Sequence, residues 1–411
     1  MHKVGGTLLE KLLGLDSGHR GQRIDCGQGH QAEFVDYREK YVTTVLAPVR
    51  LSRAYYHCAE CHRGVVPRDI ELGIAGSSLS PGVTRMAART GSQESFAQAS
   101  RDLADLAAIS IPAKQVERVA EASGDRVKLE VEQEWQALLS GALVPLPTGE
   151  PIPKLYITID GTGVPTVPKE NVGRRGKGAD GRARTREVKV GCLFTQTELD
   201  ARGRPVRDPD SSSYLAMIES ADKFAQVLYA EALRRGVERA QTVVVIGDGA
   251  RWIWNIADEH FPGAIQIIDL YHAREYLHAL AKLIFADDGE RREWLDAPLA
   301  DLDRGDIETL LERLAELNCS GAAADKLSDV TSYFDNHRER MRYRRFRDLG
   351  LFVGSGAVEA GCKTLVHQRL KQSGMRWTVR GAESIMSLRC CSASGRWDEF
   401  WQSHHVQTRA A

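Results

Sequence analysis

The sequence predicts an α/β protein with a small β-rich head and a long helical excursion late in the chain. Three observations predict it. Two apolar runs, LYITI at 155–159 and TVVVI at 242–246, lead into Asp160-Gly161 and, one glycine later, Asp248-Gly249; β-branched runs broken by Asp-Gly read as buried strands. Segments around them carry apolar residues at helical spacing, most densely from about 275 to 350. Ahead of them, DCGQGH at 25–30 and YYHCAECHRG at 55–64 bracket alternating β-branched, aromatic and polar residues.

The totals bound the problem. A chain of 411 residues with a formal net charge of −1 is expected to build two or three domains with real cores. No apolar run approaches the roughly 20 residues of a membrane helix, so no membrane partner is expected. The start, MHKVGGTLLEKLLGL, has a weak apolar block and no small-residue cleavage site, which argues against a secretory signal. Eight unevenly spaced cysteines read as cytosolic thiols with room for a metal site. The near-zero charge hides segregation. Residues 174–189 carry seven basic side chains against two acidic ones, 338–347 carry six arginines, and 287–316 is acidic. Basic stretches of this kind suit a polyanion, with a solvated helix face as the alternative.

Taken in order, residues 1–75 read as a zinc-ribbon-like region, two knuckles joined by a β ribbon. Cys58 and Cys61 form C-x-x-C, and Cys26 with His30 forms C-x-x-x-H; a closed Cys₃His set is a structural Zn²⁺ arrangement. His57 and His62 are alternatives to His30 as the fourth ligand. Residues 76–142 turn helical, with a break at 111–113 that fits a helix-turn-helix DNA-binding region. At 143–154 four prolines fall in nine residues, predicting an extended linker. The α/β pattern then covers 155–274: a strand ending at Asp160, a second strand (EVKVGCLFTQTEL) entering a hairpin, an amphipathic helix over 213–235, a strand to Asp248, and a strand to Asp269. Residues 275–350 read as all helix, and 351–411 as closing helices.

VGSGAVEAGCK at 353–363 has the look of a phosphate loop, but the third glycine position of G-x-G-x-x-G is Glu359 and no strand precedes it. Glu359 reads better as a carboxylate joining two others. Asp160 and Asp248 each lie at the carboxyl end of a strand, where α/β proteins bind ligands, and the following glycines let a bulky substrate approach. Three convergent carboxylates repel one another unless cations sit between them, and oxygen-rich sites select Mg²⁺ or Mn²⁺. Two such ions about 4 Å apart clamp a phosphodiester.

These motifs together resemble the RNase H-like catalytic core of DDE transposases, and within them the ISKra group of bacterial insertion sequences. The resemblance is carried by TVLAPVRLSRAYYHCAECHRG, YITIDGTGVP, VIGDGARWIWNI and GSGAVEAGCKTLVHQRLKQSGMRW, and covers nearly the whole chain. It implies an RNase H-like core interrupted by an all-helical insertion, with Asp160, Asp248 and Glu359 as the metal-binding catalytic triad. Glu383 is an alternative third carboxylate. Asp269 and His272 match a [C/D]-x-x-H signature, and Trp377 matches a tryptophan after the Glu helix. Arg251 would stand near the scissile phosphate. The basic residues expected on DNA are Arg174, Arg175, Lys177, Arg182, Arg184 and Arg186, with Lys363, Arg369 and Lys371 after Glu359. The implied activity is cleavage at the element ends and strand transfer into target DNA. The implied assembly is a homodimer or larger on paired ends, cytoplasmic and nucleoid-associated in a bacterium. An RNase H-like nuclease or resolvase, and a non-catalytic DNA-binding protein derived from a transposase, are the competing expectations.

Overall fold

The computed structural model describes residues 2–142, 150–176 and 181–410, the side chains of 2, 3 and 404–410 excepted. Two compact units divide the chain: residues 1–127 with 395–411, and residues 128–394. The fold is mixed α/β.

In the first unit, α1 (His2–Leu13) precedes an antiparallel sheet of β1 (Arg23–Asp25), β2 (Gln31–Thr43), β3 (Pro48–Cys58) and β4 (Arg63–Val65), paired in sequence order. Along β3, Val49 and Leu51 are buried between exposed Pro48, Arg50 and Ser52, as a half-covered antiparallel sheet requires. The helices α2 (Pro67–Glu71), α3 (Pro81–Gln93), α4 (Phe96–Ala107) and α5 (Ala113–Leu139) follow. Ser80 and Ser95 cap α3 and α4 by accepting the backbone N–H of Val83 and Gln98, satisfying donors that the first turn leaves orphaned. Leu79, Val83, Leu103, Ile109 and Val116 form their shared core. The break expected at 111–113 falls between α4 and α5. Helix α5 then runs unbroken across the division between the units, so the helical region does not end as a separate piece at 142. The last helix (Trp397–Ala410) belongs to this unit rather than to the core: Asp398 pairs with Arg85 at 2.5 Å, and the Arg89 guanidinium lies over the Trp397 ring.

The second unit is built on a five-stranded sheet. Its strands are β5 (Ile152–Pro165), β6 (Thr185–Gln196), β9 (Ser213–Met217), β10 (Ala240–Gly247) and β11 (Ile265–Ile268), in the order β11-β10-β5-β6-β9. The short β7 (Glu198–Leu199) and β8 (Pro205–Val206) pair with each other beside it. The hairpin β5–β6 and the pair β6–β9 are antiparallel, whereas β10 runs parallel to both β5 and β11. Residues 155–159 are buried without alternation, because helices cover both faces of a central strand. Helix α6 (Ala221–Arg234) lies over β6, close enough that a Cβ at Gly191 would stand 2.8 Å from Leu228 Cδ1.

After β10 come α7 (Arg251–His260), then β11, then the helical stretch α8 (Leu270–Ile284), α9 (Asp288–Arg304), α10 (Ile307–Ala315), α11 (Ala322–Asn336) and α12 (Tyr343–Asp348). The chain closes with α13 (Gly356–Gly361), one π turn over 362–367, α14 (Gln368–Leu370), α15 (Val379–Ala393) and α16 (Trp397–Ala410).

Three expectations are corrected. Strand β5 does not stop at Asp160 but continues to Pro165, since β6 goes on pairing with it through Thr185. The linker is shorter than 143–154, because 152–154 already pair in the sheet; 143–149 lie outside the described residues. Residues 213–217 are strand β9 rather than the start of a helix, and the helix begins at Ala221 behind the Ser220 cap.

One buried ion cluster holds the first unit's sheet to α2. Asp69, 6% exposed, accepts from Arg53 at 2.7 Å and Lys40 at 2.9 Å. Asp69→Ala leaves Arg53 charged and buried without its carboxylate, so urea unfolding is expected to lose about 3–5 kcal/mol. Asp36→Ala, which breaks the half-exposed Arg38 pair, is expected to change it by less than about 1 kcal/mol.

Candidate functional site

The parallel strands β5 and β10 position the first two carboxylates. Asp160 sits mid-strand on β5, opposite Val190, half-buried, with Oδ1 accepting the N–H of Gly161 at 2.6 Å and Oδ2 accepting the Cys362 thiol at 3.1 Å. Asp248 directly follows β10. Its Oδ1 takes the N–H of Ala250 at 2.8 Å, and its carbonyl takes the Tyr333 hydroxyl at 3.1 Å. Gly249 has φ +101°, and a Cβ there would meet Tyr333 at 2.7 Å, so the turn that aims Asp248 tolerates only glycine.

Glu359 lies on the first turn of α13, exposed, with Oε1 accepting the Ser355 hydroxyl at 3.2 Å. Asp160 is acted on by Asp248, and Glu359 by Asp160. Burial raises the Asp160 carboxyl above its usual range and the charge of Asp248 adds to that, against the hydrogen bonds from Cys362 and Gly161. Partial desolvation raises Glu359 as well, reinforced by the charges of Asp269 and Asp160. Such mutual repulsion is what a divalent cation relieves, and an all-oxygen donor set suits Mg²⁺ or Mn²⁺. Their oxygens are nevertheless not gathered about a single point: among the described residues that closeness belongs to the Cys/His set below. Glu383 stands elsewhere, paired with Lys128 at 2.6 Å and accepting the N–H of Ile218 at 3.1 Å.

Asp269 caps α8. Its Oδ1 accepts the N–H of His272 at 2.7 Å and its Oδ2 accepts the N–H of Ser355. It is 1% exposed, so it ties β11 and α8 to the loop that presents Glu359. His272 is half-buried beside Glu275 and Tyr276. Arg251 opens α7 and is exposed, while Trp252 is partly buried beside Phe224 and Lys189. Trp377 is 7% exposed, its backbone paired with Pro165 and Val167 and its Nε1 donating to the Leu370 carbonyl at 3.1 Å. Its ring is core, not an exposed stacking surface.

Sequence reasoning missed four residues here: Thr162, Tyr333, Cys362 and His367. Thr162 Oγ1, His367 Nε2 and Lys371 Nζ lie 2.8–2.9 Å apart, two positions beyond Asp160 on β5. The four-residue step from His367 to Lys371 was a legible signal; their long-range partner Thr162 was not.

The basic residues divide. Arg174, Arg175, Lys363, Arg182 and Arg184 are exposed and Arg186 half-buried, donating to the Glu170 carbonyl; Lys177 lies outside the described residues. Arg175 and Arg182 face each other across a hairpin. Arg369 is a correction: it is 0% exposed, with its guanidinium over the Trp377 ring, and a buried side chain does not reach a DNA backbone. The arginine run at 338–347 is partly neutralised within the protein, Arg342 binding Glu308 and Glu339 and Arg338 binding Asp335.

In the first unit, Cys26, His30, Cys58 and Cys61 place one ligand atom each within 4.8 Å of all the others. Cys26 and His30 flank the turn between β1 and β2, and Cys58 and Cys61 the turn between β3 and β4. The N–H of Cys61 holds the Cys58 thiol down to about 7. The donor set fits tetrahedral Zn²⁺, and His30, not His57 or His62, joins the three thiols among the described residues.

Comparison with known proteins places residues 217–402 on the model of an uncharacterised protein family (UPF0236). That stretch contains Asp248, Asp269, His272 and Glu359 but neither Asp160 nor the Cys/His set. A Streptococcus gallolyticus protein described as "UPF0236 protein in vanSb 3′region" is 30% identical over 138 residues, 34% of this chain and 30% of that relative. The match thus spans less than a third of the relative's length.

Because Asp269 satisfies two backbone donors in a buried position, Asp269→Ala is expected to cost about 2–4 kcal/mol in urea unfolding, a lost cap plus an orphaned N–H. Asp269→Asn, which keeps an acceptor oxygen, is expected to cost clearly less.

Proposed function

We propose that the chain is a DNA transposase of the insertion-sequence kind that cuts element ends and joins them to target DNA. The observation that carries this reading is that Asp160, on the central strand, lies beside both other segments: its Oδ2 accepts the thiol of Cys362, three residues after Glu359, at 3.1 Å, and its strand pairs in parallel with β10, which leads directly into Asp248. The sheet order supports it. Antiparallel β9, β6 and β5 followed by parallel β10 and β11 is the order expected of an RNase H-like sheet, and the helices between β11 and Glu359 fit the interrupted form of that core.

Asp160, Asp248 and Glu359 are the residues that would hold Mg²⁺ or Mn²⁺. When bound, such ions supply Lewis-acid activation of the attacking oxygen and stabilisation of the leaving one. The chain's own contribution is positioning. The N–H groups of Gly161 and Ala250 and the Ser355 hydroxyl fix the three carboxylates, and the arginines of the 174–186 hairpin face the backbone phosphates. Water first cleaves the phosphodiester at the element end, leaving a 3′-OH, which then attacks a target phosphodiester in line. One diester replaces another, so no nucleotide is consumed. The Cys26–His30–Cys58–Cys61 set would hold a structural zinc, stiffening an end-recognising head. Paired ends imply a dimer or larger assembly.

The test is incubation of the protein with Mg²⁺, a DNA fragment carrying its coding segment with native flanks, and a target plasmid. Joined products are expected; cleavage without joining indicates a nuclease instead. Asp160→Asn, Asp248→Asn and Glu359→Gln are each expected to slow cleavage by about 10²–10³-fold or more while DNA affinity holds. Retained cleavage in all three refutes the triad.

The metal staple is checked separately. One zinc per chain is expected by elemental analysis, lost in Cys58→Ser together with a drop in the thermal midpoint of the first unit.

A further inference from the structure

We propose that Lys371, held in place by His367 and Thr162, is a phosphate-oxygen site beside Asp160, contacting a non-bridging oxygen of the phosphodiester being cut. This rests on the reading of the second unit as a phosphodiester-cleaving core. Asp160 and Thr162 are two residues apart on β5 and so point to the same face of the sheet. Lys371 Nζ lies 2.8 Å from Thr162 Oγ1 and 2.8 Å from His367 Nε2. An ammonium has three donors; two are directed at these partners, and no other partner is found for the third among the described residues.

Lys371 is partly buried, yet no carboxylate forms an ion pair with it among the described residues. Cations removed from water are ordinarily paired, and here the charge of Asp160 acts on Lys371 without a hydrogen bond between them. The anion that would complete the site is therefore an external one. Partial desolvation and the neighbouring Lys371 lower His367, and its Nε2 lies within hydrogen-bond reach of both Thr162 Oγ1 and Lys371 Nζ. The π turn over 362–367 sets His367 in register with Thr162; π turns of this sort accumulate at functional sites. A compact ammonium at that point stabilises charge on the phosphate as it develops.

The first arm of the test uses inorganic phosphate and no divalent metal. Phosphate titrated into the protein in EDTA is expected to shift the His367 ring ¹⁵N resonances saturably, and Lys371→Met to abolish the shift. Asp160→Asn is expected to keep or strengthen it, since a repelling carboxylate is gone. The second arm follows Mn²⁺-dependent nicking of a supercoiled plasmid. Lys371→Met is expected to lower the rate about 10²–10³-fold with affinity for a 20-bp duplex changed far less, and Lys371→Arg to restore part of it. Thr162→Val is expected to weaken phosphate binding with an unchanged thermal midpoint, marking it as positioning rather than structural. No phosphate-induced shift in the wild type, or nicking by Lys371→Met within about twofold of wild type, overturns the proposal. If the wild type and Asp160→Asn nick equally, the core reading fails, while the phosphate titration still decides the Lys371 site.

Discussion

Strand β5 is hydrogen-bonded along both edges, parallel to β10 and antiparallel to β6. No residue from 154 to 158 is therefore free to shift register without breaking two ladders at once, and the side chains on its two faces are buried under helices. A strand so constrained holds its own side chains and those of its neighbour at fixed separations. Asp160 is placed by that pairing, Asp248 by the parallel partner that ends beside it, and Thr162 by the next same-face position. The positions of Asp160 and Asp248 are then set by the sheet's hydrogen bonds and core, not by any attraction between them.

The two strand-borne acids were legible because strands announce themselves by apolar runs and because Asp-Gly breaks are rare inside them. The sequence was less informative about where such a strand ends. LYITID looks finished at the aspartate, yet β6 pairs with it as far as Pro165; a cross-strand partner some twenty residues on decided the boundary, and local propensity does not see it. The same blindness explains 213–217, where apolar residues suit a helix in isolation but bind the free edge of β6 as a strand.

Charge was read well in one place and poorly in another. Arg174, Arg175, Arg182 and Arg184 stand exposed, as their composition suggested. Arg369 belongs to an equally basic stretch but is buried over Trp377, and Arg342 is claimed by Glu308 from the acidic stretch that looked separate in the sequence. A linear count of charges cannot register which opposite charges the fold returns to it. The Cys/His set was the clearest case of the opposite kind: four ligands in two short turns need only a hairpin between them, and β2 and β3 supply it.

The helices from α8 to α12 leave the sheet at Asp269 and come back at Ser355, and those two residues are bonded to each other, with Leu270 also donating to the Val353 carbonyl at 3.0 Å. The excursion is a closed loop pinned at its neck. The neck fixes where the chain re-enters ahead of Glu359 whatever the length of the excursion, while one helix inside it reaches back to the strand ends, Tyr333 of α11 donating to the Asp248 carbonyl.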